Sequence, residues 1–274
     1  MLMEDFKMPH PPTLPNKLLQ INPDTVSHEE WQLREELAAC CQLADMYGMS
    51  DMAGSHISVR VPGVEHHFLI NPFGYFFDEI TASSLIKVDL NGHVVMGQPD
   101  QLNPAGFVIH SAVHMANESS ACVMHTHTRA IIAVGMQKNG LLPLSQKALL
   151  LWDFLRYHDF EGAALDMDER ERIVHDLGPD GRCVILRNHG ALTVGRSVAE
   201  AFCWMYRLEA ACRYQVDALS ANQEPHWLQT ETIEKTAAQG RKLLGPGGFA
   251  ECGKLEWQAL LRKLERERGI SYRS

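Results

Sequence analysis

LIKVDLNGHVVMG, residues 85–97, consists of two short β-type runs joined by Asn91-Gly92. An Asn-Gly pair in this setting is the strongest short-range hairpin signal, because the favoured two-residue turn needs positive φ at both central positions. A tight hairpin makes its two strands antiparallel. Working outward, HISVRV (56–61) and HFLINP (67–72) predict two further short strands upstream. Downstream, AGFVIHSAVHMAN after Pro104 has helical length and spacing, ACVMHTH is a short apolar strand, and TRAIIAVGMQ returns to helix. RCVILRN (182–188) predicts a buried strand, and GALTVG another after a tight turn at Gly190. Hairpins mixed with helices, without regular βαβ alternation, predict a largely antiparallel or mixed sheet with helices on its faces. A doubly wound nucleotide fold is disfavoured, and no G-x-G-x-x-G or G-x-x-x-x-G-K-[ST] follows any strand.

The flanks extend this reading. Ser27 and Glu30 form an S-x-x-E capping signal, predicting a helix over about 28–47 that Gly48 stops. A long helix is expected from Ser197 to about Leu219, apolar at Val198, Ala201, Phe202, Met205, Leu208, Ala211 and Cys212. Two more follow near 228–244 and 254–268, separated by GPGG at 245–248. Residues 1–26 hold five of the 13 prolines and read as an extended arm. Residues 27–222 read as the main domain, and 223–274 as a helical extension packed on that domain or on a neighbouring subunit. In its last helix Trp257, Leu260, Leu261 and Leu264 form an apolar stripe that must be buried somewhere.

The 274-residue chain carries a net charge of −9, with 45% hydrophobic and 22% charged residues. That balance is ordinary for a globular protein and disfavours nucleic acid as a partner. The basic run RKLERER is interleaved with Glu265 and Glu267, as on a solvated helix face. None of the seven cysteines forms C-x-x-C, which suits buried free thiols in a reducing compartment, and a cytoplasmic location is expected. The acidic, proline-broken start does not resemble a signal peptide, and no run has the length of a membrane span.

Chemistry concentrates in the histidines. There are 14, so roughly one H-x-H pair is expected by chance, and HTH at 125–127 is weak evidence alone. On a strand, residues two apart share a face, so His125 and His127 would project side by side where the strand ends. Two imidazoles so placed can converge on one cation, and a catalytic centre needs a third ligand and an open position. His189, also directly after an apolar strand, is the natural candidate. The competing reading is a hydrogen-bonded structural pair. His110 and His114 lie at i and i+4 of a helix, but Ser111 stands where a metalloprotease needs glutamate. That pair reads as structural, or as support for the first site.

Taken in order, GSHISVRVPG, FLINPFG, DEITASSLIKVDLNG, NPAGFVIHSAVH, VMHTHT and VILRNHGALTVG resemble the class II aldolase/adducin head family over about residues 30–222. The resemblance implies an α/β fold of three layers, α/β/α, with a mostly antiparallel central sheet. It also implies one divalent metal on His125, His127 and His189, zinc first, with iron or manganese as alternatives. The family's sugar-phosphate aldolases bind phosphate through G-N-x-S, T-G and S-S elements, which here match Ser55-His56, Phe73-Gly74 and Pro104-Ala105. Gly74 keeps the family residue. The glutamate that serves those enzymes as acid/base is matched by Gly106. The resemblance therefore points to the adducin-like bacterial branch and to a lyase-type enzyme acting on a non-phosphorylated carbonyl or hydroxy acid. Ser55, His56, Gly74 and Gly106 would line its substrate site. His110 is a candidate base and Arg129 a candidate carboxylate anchor, beside the alternative that Arg129 is a surface residue at a helix start. Two other functions stay open. One is a non-haem iron oxygenase of the same fold. The other is a non-catalytic assembly protein like the adducins, which bind actin and spectrin with help from a lysine-rich tail that this sequence does not contain. Family enzymes are commonly tetramers, so a homo-oligomer is expected.

Overall fold

The computed structural model describes residues 18, 20–63, 66–116, 119–162 and 168–274. Most of the proline-rich arm lies outside these. Of the arm's described part, Ile21 is buried and its N–H donates to the Ser83 carbonyl, and the Ser83 hydroxyl donates to the Gln20 side chain, so residues 20–21 lie against the 81–84 turn. The described residues form eight strands and eight α-helices.

α1 spans His28–Met46. Ser27 caps it by accepting the Glu30 N–H, but the expected reciprocal bond is replaced, since the Glu30 carboxylate turns to Arg34 and Lys87. Arg34 is fully buried, and its guanidinium also donates to the Leu85 carbonyl at 2.8 Å, tying α1 to the chain before the hairpin. β1 (His56–Arg60), β2 (Phe68–Ile70), β3 (Ile86–Val88) and β4 (Val94–Met96) follow. Asn91-Gly92 lies between β3 and β4, which pair antiparallel as expected, but the turn is not the two-residue type: Gly92 has a φ of +88° and Asn91 does not have positive φ, and the Asp89 N–H donates to the His93 carbonyl across a three-residue loop.

Next come α2 (Pro104–Ala116), β5 (Cys122–Thr126), α3 (Arg129–Gly135), α4 (Gln146–Leu151), β6 (Leu155–His158), α5 (Glu169–Leu177), β7 (Cys183–Leu186), β8 (Gly190–Gly195), α6 (Val198–Ser220), α7 (Thr230–Leu244) and α8 (Glu256–Arg268). All strands join one sheet in the order β4-β3-β2-β1-β5-β8-β7-β6. Every pairing is antiparallel except β6 with β7, where α5 makes the crossover. This parallel edge, with α4 and α5 next to it in the chain, was not expected from the sequence pattern. LRYH in β6 is half-exposed at its two middle residues and carries no clear period-two alternation.

Strand alternation sorts the side chains into two layers. Ile57, Val59, Cys122 and Met124 join the larger core, with residues of α1, α3 and α6. Val123, Val184, Leu192 and Val194 face the other way, against Ile109 and Val113 of α2 and Ile173 and Leu177 of α5. The result is the three-layer α/β/α arrangement with a mostly antiparallel centre.

The C-terminal stripe is covered by its own chain. Trp257 and Leu264 are 5% and 0% exposed, Leu260 and Leu261 are partly buried, and Trp257 packs on Phe202 of α6. The tail then folds back: Tyr272 is buried, and the Ser274 carbonyl accepts the Ser83 N–H. Leu264→Ala should therefore lower stability by about 2–5 kcal/mol in urea denaturation. A loss below about 1 kcal/mol would mean that α8 does not pack on its own subunit.

Candidate metal centre

β5 ends between β1 and β8, in the middle of the sheet. His125 therefore stands on the α2 face with Val123, and the chain leaves the strand through Thr126 to His127 before α3 begins. The hairpin from β7 to β8 delivers His189. Leu186 pairs with Gly190, leaving Arg187, Asn188 and His189 as a three-residue loop. The positive φ that this turn needs is carried by Asn188, at +59°, and not by Gly190. Gly190 is needed for a different reason. A Cβ there would stand 2.4 Å from the Thr126 carbonyl oxygen and 3.0 Å from His127, so only glycine lets β8 approach β5 this closely.

The three imidazoles converge. His125 Nε2 and His127 Nε2 are 2.8 Å apart, His127 Nε2 and His189 Nε2 are 3.2 Å apart, and one nitrogen from each ring lies within 4.8 Å of the other two. Their proton assignments follow from their other contacts. His125 Nδ1 lies 3.0 Å from the Ala191 carbonyl oxygen, which can only accept, so that nitrogen carries the proton. His127 Nδ1 likewise donates to the Asp51 carboxylate at 3.0 Å. With both rings neutral the two Nε2 atoms are then lone pairs facing each other at 2.8 Å, a repulsive contact that a proton or a metal ion between them relieves. Two nitrogens sharing a tetrahedral ion at about 2.0–2.1 Å would stand roughly 3.3 Å apart, close to the spacings present. The donor set fits a divalent metal. Burial, together with the neighbouring His56, His127 and His189, holds His125 well below the ordinary imidazole pKa, and burial pushes His189 down to about 4. Neutral imidazole is the ligating form.

An open cleft of about 400 Å³ lies over two of these rings, lined by Asp51, His127, Ile132, Phe160, Gly162, Asn188 and His189. Arg129 is the exposed first residue of α3 and is not among these lining residues.

The remaining candidates gather on the α2 side. His56 sits opposite His125 in the β1–β5 register, and the two rings stack with centroids 4.7 Å apart. His110 is completely buried and bonds to His56 and Ser58, not to the three converging nitrogens. His114 bonds to Ser58 and to the Ser120 carbonyl. Gly106, in the first turn of α2, lies directly under the His56 ring, where a Cβ would come within 3.0–3.1 Å of its atoms. Ser55 is buried with an unpartnered hydroxyl, and Gly74 occupies a turn at φ +90°. Two participants went unread in the sequence. Ser58 shares the His56 face by simple alternation and could have been found that way. Asp51 is a single acid in an irregular loop with no signal of its own.

The model of the Class II Aldolase and Adducin N-terminal domain matches residues 35–216. The chain belongs to this family. Among class II aldolase/adducin relatives, it is 51% identical to a protein of Caulobacter vibrioides assigned by likeness to the class 2 aldolases, over 88% of this chain and 92% of that one. It is 40% identical to mouse alpha-adducin, covering 92% of this chain but 35% of the adducin, so it spans about a third of that relative. Among solved structures, the L-fuculose 1-phosphate aldolase of Glaciozyma antarctica superposes with a TM-score of 0.77 at 27% identity, covering 90% of this chain and 93% of that one. Among the described residues no helix is long and apolar enough to cross a membrane.

Burial also predicts a pH dependence for this family member. His114 is pushed down to about 3 from the ordinary 6.5, chiefly by burial and then by the Arg60 charge. The unfolded chain therefore binds a proton below pH 6.5 that the folded chain refuses. The stability contribution is complete above 6.5 and is lost as pH falls toward 3, at up to about 1.4 kcal/mol per pH unit. Urea midpoints of His114→Gln should fall less steeply between pH 6.5 and 4 than those of the wild type. Parallel slopes would show that His114 titrates normally.

Proposed function

We propose that this class II aldolase family member is a metal-dependent enzyme of lyase type, holding one divalent cation on His125, His127 and His189. The observation that carries this reading is the convergence of three imidazole nitrogens, with His125 Nε2 and His127 Nε2 2.8 Å apart and each of those two rings held by a partner on its opposite nitrogen. An all-imidazole set suits zinc before manganese, which prefers oxygen donors, and leaves iron as the alternative. Such an ion supplies Lewis-acid polarisation of a carbonyl. The chain supplies the rest. Ala191 and Asp51 keep His125 and His127 in their ligating tautomers, and the open cleft admits a small molecule.

The substrate is a carbonyl or hydroxy-acid compound without phosphate. Three observations support this. The Phe73 N–H is spent on the Gln101 carbonyl, and the Ala105 and Gly106 N–H groups point to the Asn103 side chain. The backbone donors of Phe73 and Ala105, at positions matched to the family's phosphate cradle, are thus already satisfied, and Pro104 has none. Gly106 offers no carboxylate. The homo-oligomer, a tetramer first, rests on the family alone, because the α8 stripe is covered within its own subunit. Light scattering that returns a monomer at micromolar concentration would remove it.

Elemental analysis of the purified protein should give one metal per subunit, lost in His125→Ala, His127→Ala or His189→Ala. Asp51→Ala should keep the site but weaken its affinity about 10–100-fold, as expected for a residue that orients a ligand. Full occupancy in any of the three histidine variants would remove that residue from the set. A retro-aldol assay should find no turnover of L-fuculose 1-phosphate near the ordinary enzyme rate of about 1 per second or more. Turnover at that rate would overturn the non-phosphorylated substrate class.

A further inference from the structure

Beside the three converging nitrogens lies a second polar chain that needs no metal to explain it, and its direction can be worked out group by group. The Ser120 carbonyl can only accept, so His114 Nδ1, 3.0 Å away, carries a proton. Burial keeps His114 neutral, so its Nε2 is a lone pair and the Ser58 hydroxyl must donate to it, at 2.7 Å. With that proton committed, Ser58 Oγ accepts from His110 Nδ1–H at 2.5 Å. His110 Nε2 is then bare and accepts from His56 Nδ1–H at 2.7 Å. The last nitrogen, His56 Nε2, is left as an acceptor. No hydrogen bond reaches it from the described residues, yet it is not among the sealed polar atoms that lack a partner. Its ring stacks on His125 and fills the space directly above Gly106.

We propose that His56 Nε2 is a fixed hydrogen-bond acceptor for a substrate hydroxyl, oriented through His110, Ser58 and His114 by the Ser120 carbonyl. The geometry assigns it the room over Gly106, where the resembling aldolases carry a carboxylate on the matched residue. An acceptor that cannot turn donor selects against ligands whose corresponding atom is a carbonyl or a phosphate oxygen, since two lone pairs would face each other. It selects for an O–H next to the metal-binding oxygen, which is the pattern of a 2-hydroxy carbonyl or a 2-hydroxy acid. Ser58, His110 and His114 are positioning residues here. None touches the ligand, and no group in the chain changes charge. An isolated structural network would not need His56 to end in an unbonded nitrogen at the border of the histidine cluster.

This inference rests on the metal reading above, and the test separates the two. Zinc occupancy of the full-length protein is measured first, and zinc-loaded protein is titrated by calorimetry with glycolohydroxamate and acetohydroxamate. These chelators differ only by the hydroxyl. The wild type should prefer glycolohydroxamate by about tenfold, the scale of one neutral hydrogen bond whose partner is otherwise unpaired. His56→Phe should bind zinc and both hydroxamates but lose the preference. Ser58→Ala leaves the His56 ring in place while removing the group that sets the chain's direction, and it should lose the preference too. Long-range nitrogen–proton correlation spectra give a readout independent of binding and of metal. His56, His110 and His114 should each appear as the Nδ1–H tautomer in the wild type, and His56 should lose that uniqueness in Ser58→Ala. A His56 Nε2–H tautomer in the wild type overturns the inference. So does equal affinity for the two hydroxamates, failure of zinc-loaded protein to bind either, or a preference that survives both substitutions.

Discussion

The antiparallel register of β1 against β5, with His56 opposite His125, is the constraint on which the rest of the structure depends. Because side chains alternate, the same register sends Ile57, Val59, Cys122 and Met124 into the core with α1 and α6, and His56, Ser58, Val123 and His125 toward α2. A slip of β1 by one residue would exchange its two sets. His56 and Ser58 would then enter an apolar layer with no partners, while Ile57 and Val59 would face His110 and His114. Burying one unpaired polar group costs about 1–3 kcal/mol, so several such errors exceed what a domain of this size can absorb. The packing of the apolar face thus holds the polar face in position.

On the polar face, acceptor-only groups decide where protons sit. The Ala191 carbonyl does so for His125, the Asp51 carboxylate for His127, and the Ser120 carbonyl for the whole chain that ends at His56. Imidazole is ambiguous by itself, being donor at one nitrogen and acceptor at the other. An oxygen that can only accept removes the ambiguity at one end, and each hydrogen bond passes the choice along. Five buried or half-buried histidines therefore each have the role of one ring nitrogen set by a neighbour. Glycine completes the arrangement twice. Gly190 lets the strand bearing the third imidazole close on β5, and Gly106 leaves room for the His56 ring.

Membership of the aldolase and adducin family is compatible with this division. The three-histidine geometry stands where the resemblance places a metal, while two of the backbone donors matched to the phosphate cradle, those of Phe73 and Ala105, are taken by the Gln101 carbonyl and the Asn103 side chain. One scaffold can serve different substrates through such local differences without altering the sheet, because function resides in the site and not in the fold.

Local physics made much of this legible in the sequence alone. Asn91-Gly92 marked the hairpin because few residues adopt positive φ, Ser27 marked the start of α1 because a helix N-terminus needs an acceptor, and period-two spacing put His125 beside His127. The long helix α6 and the last two helices followed from apolar periodicity, since their stripes must meet a core. Tertiary structure decided the remainder. β6 and its parallel pairing with β7 carry no period of their own, and the cover for Trp257 and Leu264 came from α1 and α6, hundreds of residues or tens of residues away in the chain. Asp51 reaches His127 across 76 residues, and His110 reaches His56 across 54. Residue type and spacing disclose which groups can share a face. Which nitrogen keeps the proton depends on an oxygen brought from elsewhere in the chain, and only the folded sheet brings it there.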